Sequence, residues 1–151
     1  MKITLCGSIA FYDEMKEIQE KLEALGHEVD LPPSEVPDEN GVMMPVKKYY
    51  EIRKLAEKEK GGGDSWIWDL KSVAIMNHFN KVAWADVILV NNYTKNNIPN
   101  YIGANTFLEM GLAFYLGKKI FLLNPIPKTS YMEEILGMKP IVIDNNLLKI
   151  V

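Results

Sequence analysis

One cysteine, Cys6, stands in a chain of 151 residues. No intrachain disulfide can form, and no Cys-based zinc site is expected. Histidine is almost as scarce: His27 and His78 are the only two. Neither sits at metal-ligand spacing from a second candidate ligand. Charge of one sign is lacking too. Seventeen Lys and Arg face twenty Asp and Glu, a formal net charge of -3. Nucleic-acid polymers are bound through clustered positive charge, so no such partner is expected. No apolar run approaches the ~20 residues of a membrane span. The stretch Met1 to Ile9 is too short for the apolar core of a signal peptide. A cytoplasmic chain with no membrane partner is the expectation.

What is present is ordinary globular material, 48% apolar and 25% charged. Lys2 to Cys6 is a β-branched and apolar run stopped by Gly7 and Ser8, and reads as a buried strand. Met15, Ile18, Leu22 and Leu25 then recur at helical spacing, and Gly26 stands where a helix-ending glycine belongs. His27 to Leu31 alternates as a short strand, ended by Pro32 and Pro33. This is a βαβ unit.

The character changes from Ser34 to Gly63. Pro37, Asp38, Asn40 and Gly41 read as a loop. Val46 to Lys60 is crowded with Lys and Glu and broken by Gly61, Gly62 and Gly63. It reads as a helix on flexible joints, either a solvated insertion near 38–65 or a lid over a site.

Asp64 or Ser65 can cap the next helix, whose apolar face is Ile67, Leu70, Ala74, Ile75, Phe79 and Val82. Asp86 to Val90 is a third strand, apolar enough to be covered on both faces. A polar loop from Asn91 to Gly103 follows. Then come a helix over Thr106 to Leu116, a strand over Lys119 to Leu123, a short helix over Tyr131 to Leu136 and a strand over Ile141 to Ile143. Alternating βα units predict an α/β fold: one domain, 1–151, with five mainly parallel strands in the order 2-1-3-4-5 and helices on both faces. Ligands of such sheets bind at the carboxyl ends of the strands, where the order switches direction. Here that edge carries the loops after the first and third strands.

Three pieces converge on it. Gly7, Ser8 and Ile9 form a strand-to-helix turn whose backbone N–H groups suit a phosphate or sugar. The loop with Asn91, Asn92, Tyr93, Lys95 and Asn100 can offer amide and aromatic contacts. Glu109 is the only carboxylate between Asn105 and Gly117, on an otherwise apolar helix. A buried carboxylate is costly unless paired, capping or working. Thr106-Phe107-Leu108-Glu109 fits a T-x-x-E capping box; the other reading is a nucleophile or general base at a pocket floor.

The residues Gly7-Ser8-Ile9, Ala85 to Val90 and Asn105 to Ala113 resemble the nucleoside 2-deoxyribosyltransferase-like superfamily. The strongest element is the helix carrying Glu109, Gly111 and Ala113, followed by Gly117-Lys118 and a strand. The resemblance implies a three-layer Rossmann/flavodoxin-like doubly wound sheet. It implies cleavage or transfer of an N-glycosidic bond in a nucleoside or nucleotide, of the N-glycosidase or deoxyribosyltransferase type. Glu109 would be the nucleophile and would form a covalent sugar–enzyme intermediate. Substrate contacts would come from Gly7, Ser8, Ile9 and Tyr12, from Asn91 and Asn92, and from Gly103, Asn105 and Thr106. His78 stands where members carry an aspartate, and Gly103 where they carry an aspartate or serine. His78 or Tyr12 would assist the leaving base. No cofactor or metal is implied. A homo-oligomer is implied, a dimer being the expectation, with Trp66, Trp68 and Tyr101 as candidate interface aromatics. The second reading is a nucleotide-binding module without turnover, with Glu109 as a helix cap.

Overall fold

The computed structural model describes all residues from Met1 to Val151. β1 (Lys2–Cys6) leads through a short 3-10 turn (Ile9–Phe11) into α1 (Tyr12–Ala24) and β2 (Glu28–Asp30). After an excursion come α3 (Ser65–Trp84), β5 (Val87–Val90), α4 (Ala104–Tyr115), β6 (Lys119–Leu122), α5 (Met132–Gly137) and β7 (Ile141–Val142). The excursion contains β3 (Glu35–Pro37), β4 (Met43–Pro45) and α2 (Val46–Ala56).

The main sheet has the order β2-β1-β5-β6-β7, and all four pairings are parallel. Apart from the β3–β4 pair, this is the expected order 2-1-3-4-5. Successive strand residues point to opposite faces, which is why the strands are apolar throughout. Ile3, Leu5, Val87, Leu89 and Phe121 pack with Met15, Ile18 and Leu22 of α1. Cys6, Ile88, Val90, Ile120 and Leu122 pack on the other face with Val82 of α3, Met110 and Ala113 of α4 and Ile135 of α5. The three layers follow from these two cores.

β1 and β5 are neighbours, with Cys6 opposite Val90. The Asn91 amide donates to the Cys6 carbonyl at 2.7 Å. The chain leaves both strands at one edge, and Gly7 eases this close approach. A Cβ there would stand 3.2 Å from the Asn91 carbonyl oxygen and 3.3 Å from Met15 Sδ.

The excursion differs from the sequence reading. Residues 35–45 form an antiparallel hairpin, with Val36 opposite Met44, where only a loop is expected. The Asp38 side chain accepts from the Asn40 and Val42 amides and shapes the turn. Val36 and Met44 are buried with Val46, Tyr49 and Ala56 of α2 and Ile67 of α3, a third small core. α2 is therefore half-buried on one side rather than solvated all round, and it ends at Ala56 rather than Lys60. The glycine triplet has a conformational cause: Gly62 has φ +80°, a left-handed turn that delivers its carbonyl to Trp68 Nε1 at 2.6 Å.

Candidate active site

α4 begins at Ala104, with Gly103 as its N-cap and no side-chain cap bond. Thr106 is thus inside the helix, and the capping-box reading of Thr106 and Glu109 is overturned. Glu109 has turned inward instead. It is 3% exposed. Its Oε1 accepts from Asn105 Nδ2 at 2.6 Å, one helical turn away. The Asn105 Oδ1 accepts in turn from Lys71 Nζ at 3.1 Å. Its amide orientation is fixed by a donor on one side and an acceptor on the other.

Glu109 Oε2 has no hydrogen-bond partner, and neither has the buried Nε2 of His78, 3.7 Å away. Burial pushes the Glu109 carboxyl up to about 8, with the neighbouring Cys6 thiol and the charge of Lys71 opposing the shift. Burial, helped by the charge of Lys81, lowers His78 to about 4, while a backbone contact from Leu5 opposes it. At neutral pH the imidazole is uncharged, so His78 and Glu109 are close but are not an ion pair. Burial also raises the Cys6 thiol well above its ordinary value, and the neighbouring Glu109 adds to the shift.

His78 and Glu109 face a cavity of about 760 Å³, within the usual range of ligand sites. Gly7, Ser8 and Ile9 line it from the end of β1, and Gly103, Asn105 and Thr106 from the start of α4. The first amides of α4 have no intrahelical acceptors, so this wall carries free N–H donors and the positive end of the helix dipole. α3 contributes Lys71, Ala74, His78 and Lys81 from one face, the i, i+3, i+7, i+10 stripe of a helix. Leu70 and Ile75, which the sequence assigns to a core face, are cavity wall as well.

Three expected contacts lie elsewhere. The Asn92 side chain bridges the Asn124 amide and the carbonyls of Asn124 and Pro125, tying two loops together. Asn91 is buried, and its Nδ2 donates to the Leu89 carbonyl. Tyr12 packs between the first and third cores. None of the three lines the cavity.

The excursion supplies what sequence reasoning missed. α2 walls the cavity with Tyr49, Tyr50, Arg53 and Lys54. The Arg53 guanidinium stacks 4.9 Å from the Tyr49 ring centre, and its Nε is buried without a partner. Lys95 Nζ donates to Ser8 Oγ at 2.8 Å and lies 5.0 Å from the ring centres of both Tyr50 and Tyr101. Lys54 is paired with Glu57, and Lys81 with Asp30. Arg53, Lys71 and Lys95 belong to no ion pair. Burial, with the charges of Arg53 and Lys54, lowers Lys71 to about 8. The one available signal was compositional: Arg53 is the only arginine of the chain. The candidate interface aromatics also have contacts within the chain. Trp66 packs on the third core, Trp68 is bonded to Gly62, and Tyr101 lines the cavity against Gly103. They supply no argument for a subunit interface.

The arrangement is a buried carboxylate with one free oxygen at the floor of a cavity, under three unpaired cations and a helix N-terminus. No family model matches the chain, and no curated protein matches it. Among solved structures, the chain is similar to a 2-deoxyribosyltransferase from Bacillus psychrosaccharolyticus. The identity is 20%, over 81% of this chain and 71% of that one, with a TM-score of 0.47. It is also similar to a CMP N-glycosidase from Clostridium botulinum, at 19% identity over 94% of this chain and 85% of that one, with a TM-score of 0.46. No helix is long and apolar enough to cross a membrane.

Proposed function

We propose that the protein breaks the N-glycosidic bond of a nucleotide or nucleoside, by hydrolysis or by transfer of the sugar, with Glu109 as nucleophile. The observation that carries this reading is a buried Glu109 that lines the cavity and whose Oε2 has no hydrogen-bond partner. Asn105 holds Oε1, so one lone pair is fixed in place for attack. As the bond between the anomeric carbon and the base nitrogen breaks, positive charge develops on the sugar, and the carboxylate closes on it as an ester. Water or a second base then opens the ester, with net retention. A carboxylate in an apolar wall is poorly solvated and gains most when an oxocarbenium ion forms beside it. His78 lines the cavity 3.7 Å from Glu109 and is a candidate proton carrier; Tyr12 does not line the cavity.

Arg53, Lys71, Lys95 and the α4 amides favour a nucleotide, because an anionic group would give these cations the ionic partner they lack. A binding module without turnover is the second reading. Its support is the raised carboxyl, which leaves Glu109 largely protonated at neutral pH. Incubation with a panel of nucleosides and 5'-nucleotides, read by chromatography for free base, separates the two. Release of base by the parent chain and none by Glu109→Ala supports the enzyme. Nucleotide binding without release by either supports the module.

A further inference from the structure

We propose that Cys6, His78 and Glu109 together bind one soft divalent cation of the zinc class. Strand β1 and helices α3 and α4 each bring one of these residues, and their ligand atoms lie within 4.8 Å of one another. All three side chains are buried. Two of the three ligating atoms, His78 Nε2 and Glu109 Oε2, have no hydrogen-bond partner. Unpartnered polar atoms are costly in an interior, and a single cation between them satisfies both.

The donor set decides the class of ion. One thiol, one imidazole and one carboxylate suit zinc or cobalt, whereas magnesium and calcium take oxygen ligands. Zn–N and Zn–O bonds of about 2.0–2.2 Å at tetrahedral angles place two such atoms roughly 3.3–3.6 Å apart. His78 Nε2 and Glu109 Oε2, 3.7 Å apart, need only a small side-chain adjustment to close on one ion. Three protein ligands leave a fourth position for a water or another small ligand.

The Cys6 thiol proton must leave when the ion binds, as must any proton on the carboxyl. Binding therefore releases protons to solvent and tightens with pH. The ion also occupies the lone pair with which Glu109 would attack a sugar. It should act as an inhibitor, a consequence that rests on the proposed function, whereas the binding itself does not.

Cobalt(II) chloride titrated into the full chain tests the site. A thiolate–cobalt charge-transfer absorption saturating at one ion per chain is expected, displaced by zinc chloride. Cys6 is the only cysteine, so the band can come from no other residue. Calorimetric zinc affinity should fall at least roughly tenfold in both Cys6→Ser and His78→Gln. Absence of the band, or unchanged affinity in either folded variant, overturns the proposal. The band is read on the parent chain, so a variant that fails to fold leaves the test decisive. If the parent releases base, zinc should suppress that release; undiminished release with the ion bound overturns the inhibition. A chain that shows the band but never releases base retains the metal site and loses the enzymatic reading.

Discussion

Asn105 and Glu109 are joined by a 2.6 Å hydrogen bond across one turn of α4, and this bond leaves the other carboxylate oxygen free. Asn105 is thus a positioning residue. Asn105→Ala should lower kcat by on the order of 10², the cost of misplacing a reacting group by about an ångström. KM should change less than kcat, because Arg53 and Lys95 are untouched and only Lys71 loses its Asn105 contact. An equal loss in KM and none in kcat would show that Asn105 binds ligand directly.

Glu109→Gln should cut base release on the order of 10⁴-fold or more, as removal of a nucleophile does. Its stability should move the opposite way. The folded-state carboxyl lies at about 8, above its ordinary value. Its contribution is therefore full below the ordinary carboxylate range and is lost as pH rises through about 8. Above neutrality, Glu109→Gln should be the more stable chain by roughly 1–3 kcal/mol, the scale of an uncompensated buried polar group. Urea melts at pH 5 and pH 8.5 check it, the gap between parent and variant widening at the higher pH.

His78 carries the opposite sign. Its folded-state value of about 4 lies below the ordinary imidazole value, so the unfolded chain binds the extra proton first. Stability should fall as pH drops from about 6.5 towards 4. His78→Gln should flatten that acid limb in the same melts.

The sheet was legible because burial on both faces demands continuous apolar strands, and Lys2 to Cys6 and Val87 to Val90 show that demand residue by residue. The start of α4 was not. Thr106 and Glu109 have capping-box spacing, yet Gly103 begins the helix, and tertiary burial of Glu109 outweighs the local bond. The hairpin at 35–45 was hidden by Pro37 and Pro45, which sit in a two-stranded pair with free edges where proline is tolerated. The meeting of Cys6, His78 and Glu109 left no spacing signal, because three separate elements bring them together. Asn92 reads as a ligand amide by position, but its side chain is used up joining two loops.

The pH dependence of turnover should be bell-shaped with its maximum near 8. Glu109 must lose its proton to attack, which gives a rising limb. Lys71 must keep its proton to hold Asn105 and to attract an anion, which gives a falling limb. The two groups influence each other, so the limbs belong to the pair rather than to either residue. Lys71→Met should remove the falling limb while raising KM for a nucleotide. A falling limb that persists in this variant would assign it to another group.

Arg53→Ala should separate nucleotides from nucleosides. A charge-assisted hydrogen bond to a phosphate contributes about 1.5–3 kcal/mol, so KM for a 5'-nucleotide should rise roughly 10- to 150-fold. KM for the matching nucleoside should stay within about threefold, since no anion is present to lose. Equal losses for both would place Arg53 against the sugar or base and move the phosphate site to Lys95 and Ser8.

Tyr49 decides whether α2 behaves as a hinged wall. Its ring is buried in the third core, and its hydroxyl donates to the Ile67 carbonyl at 2.6 Å, fastening α2 to the first turns of α3. Tyr49→Phe keeps the ring and deletes that bond. The Ile67 carbonyl lies within α3 and can still be served by the helix ladder, so the loss should be that of one neutral hydrogen bond, about 0.5–1.5 kcal/mol. Opening of α2 costs less than global unfolding, because only the small third core must part. Amide exchange over 46–56 should therefore speed up about 2- to 12-fold in the variant, with β1 and β5 unchanged. Arg53 rides on the same helix, so nucleotide affinity should weaken in step. Faster exchange with unaltered affinity would mean that the cavity binds its ligand with α2 open, and that α2 is an insertion rather than a lid.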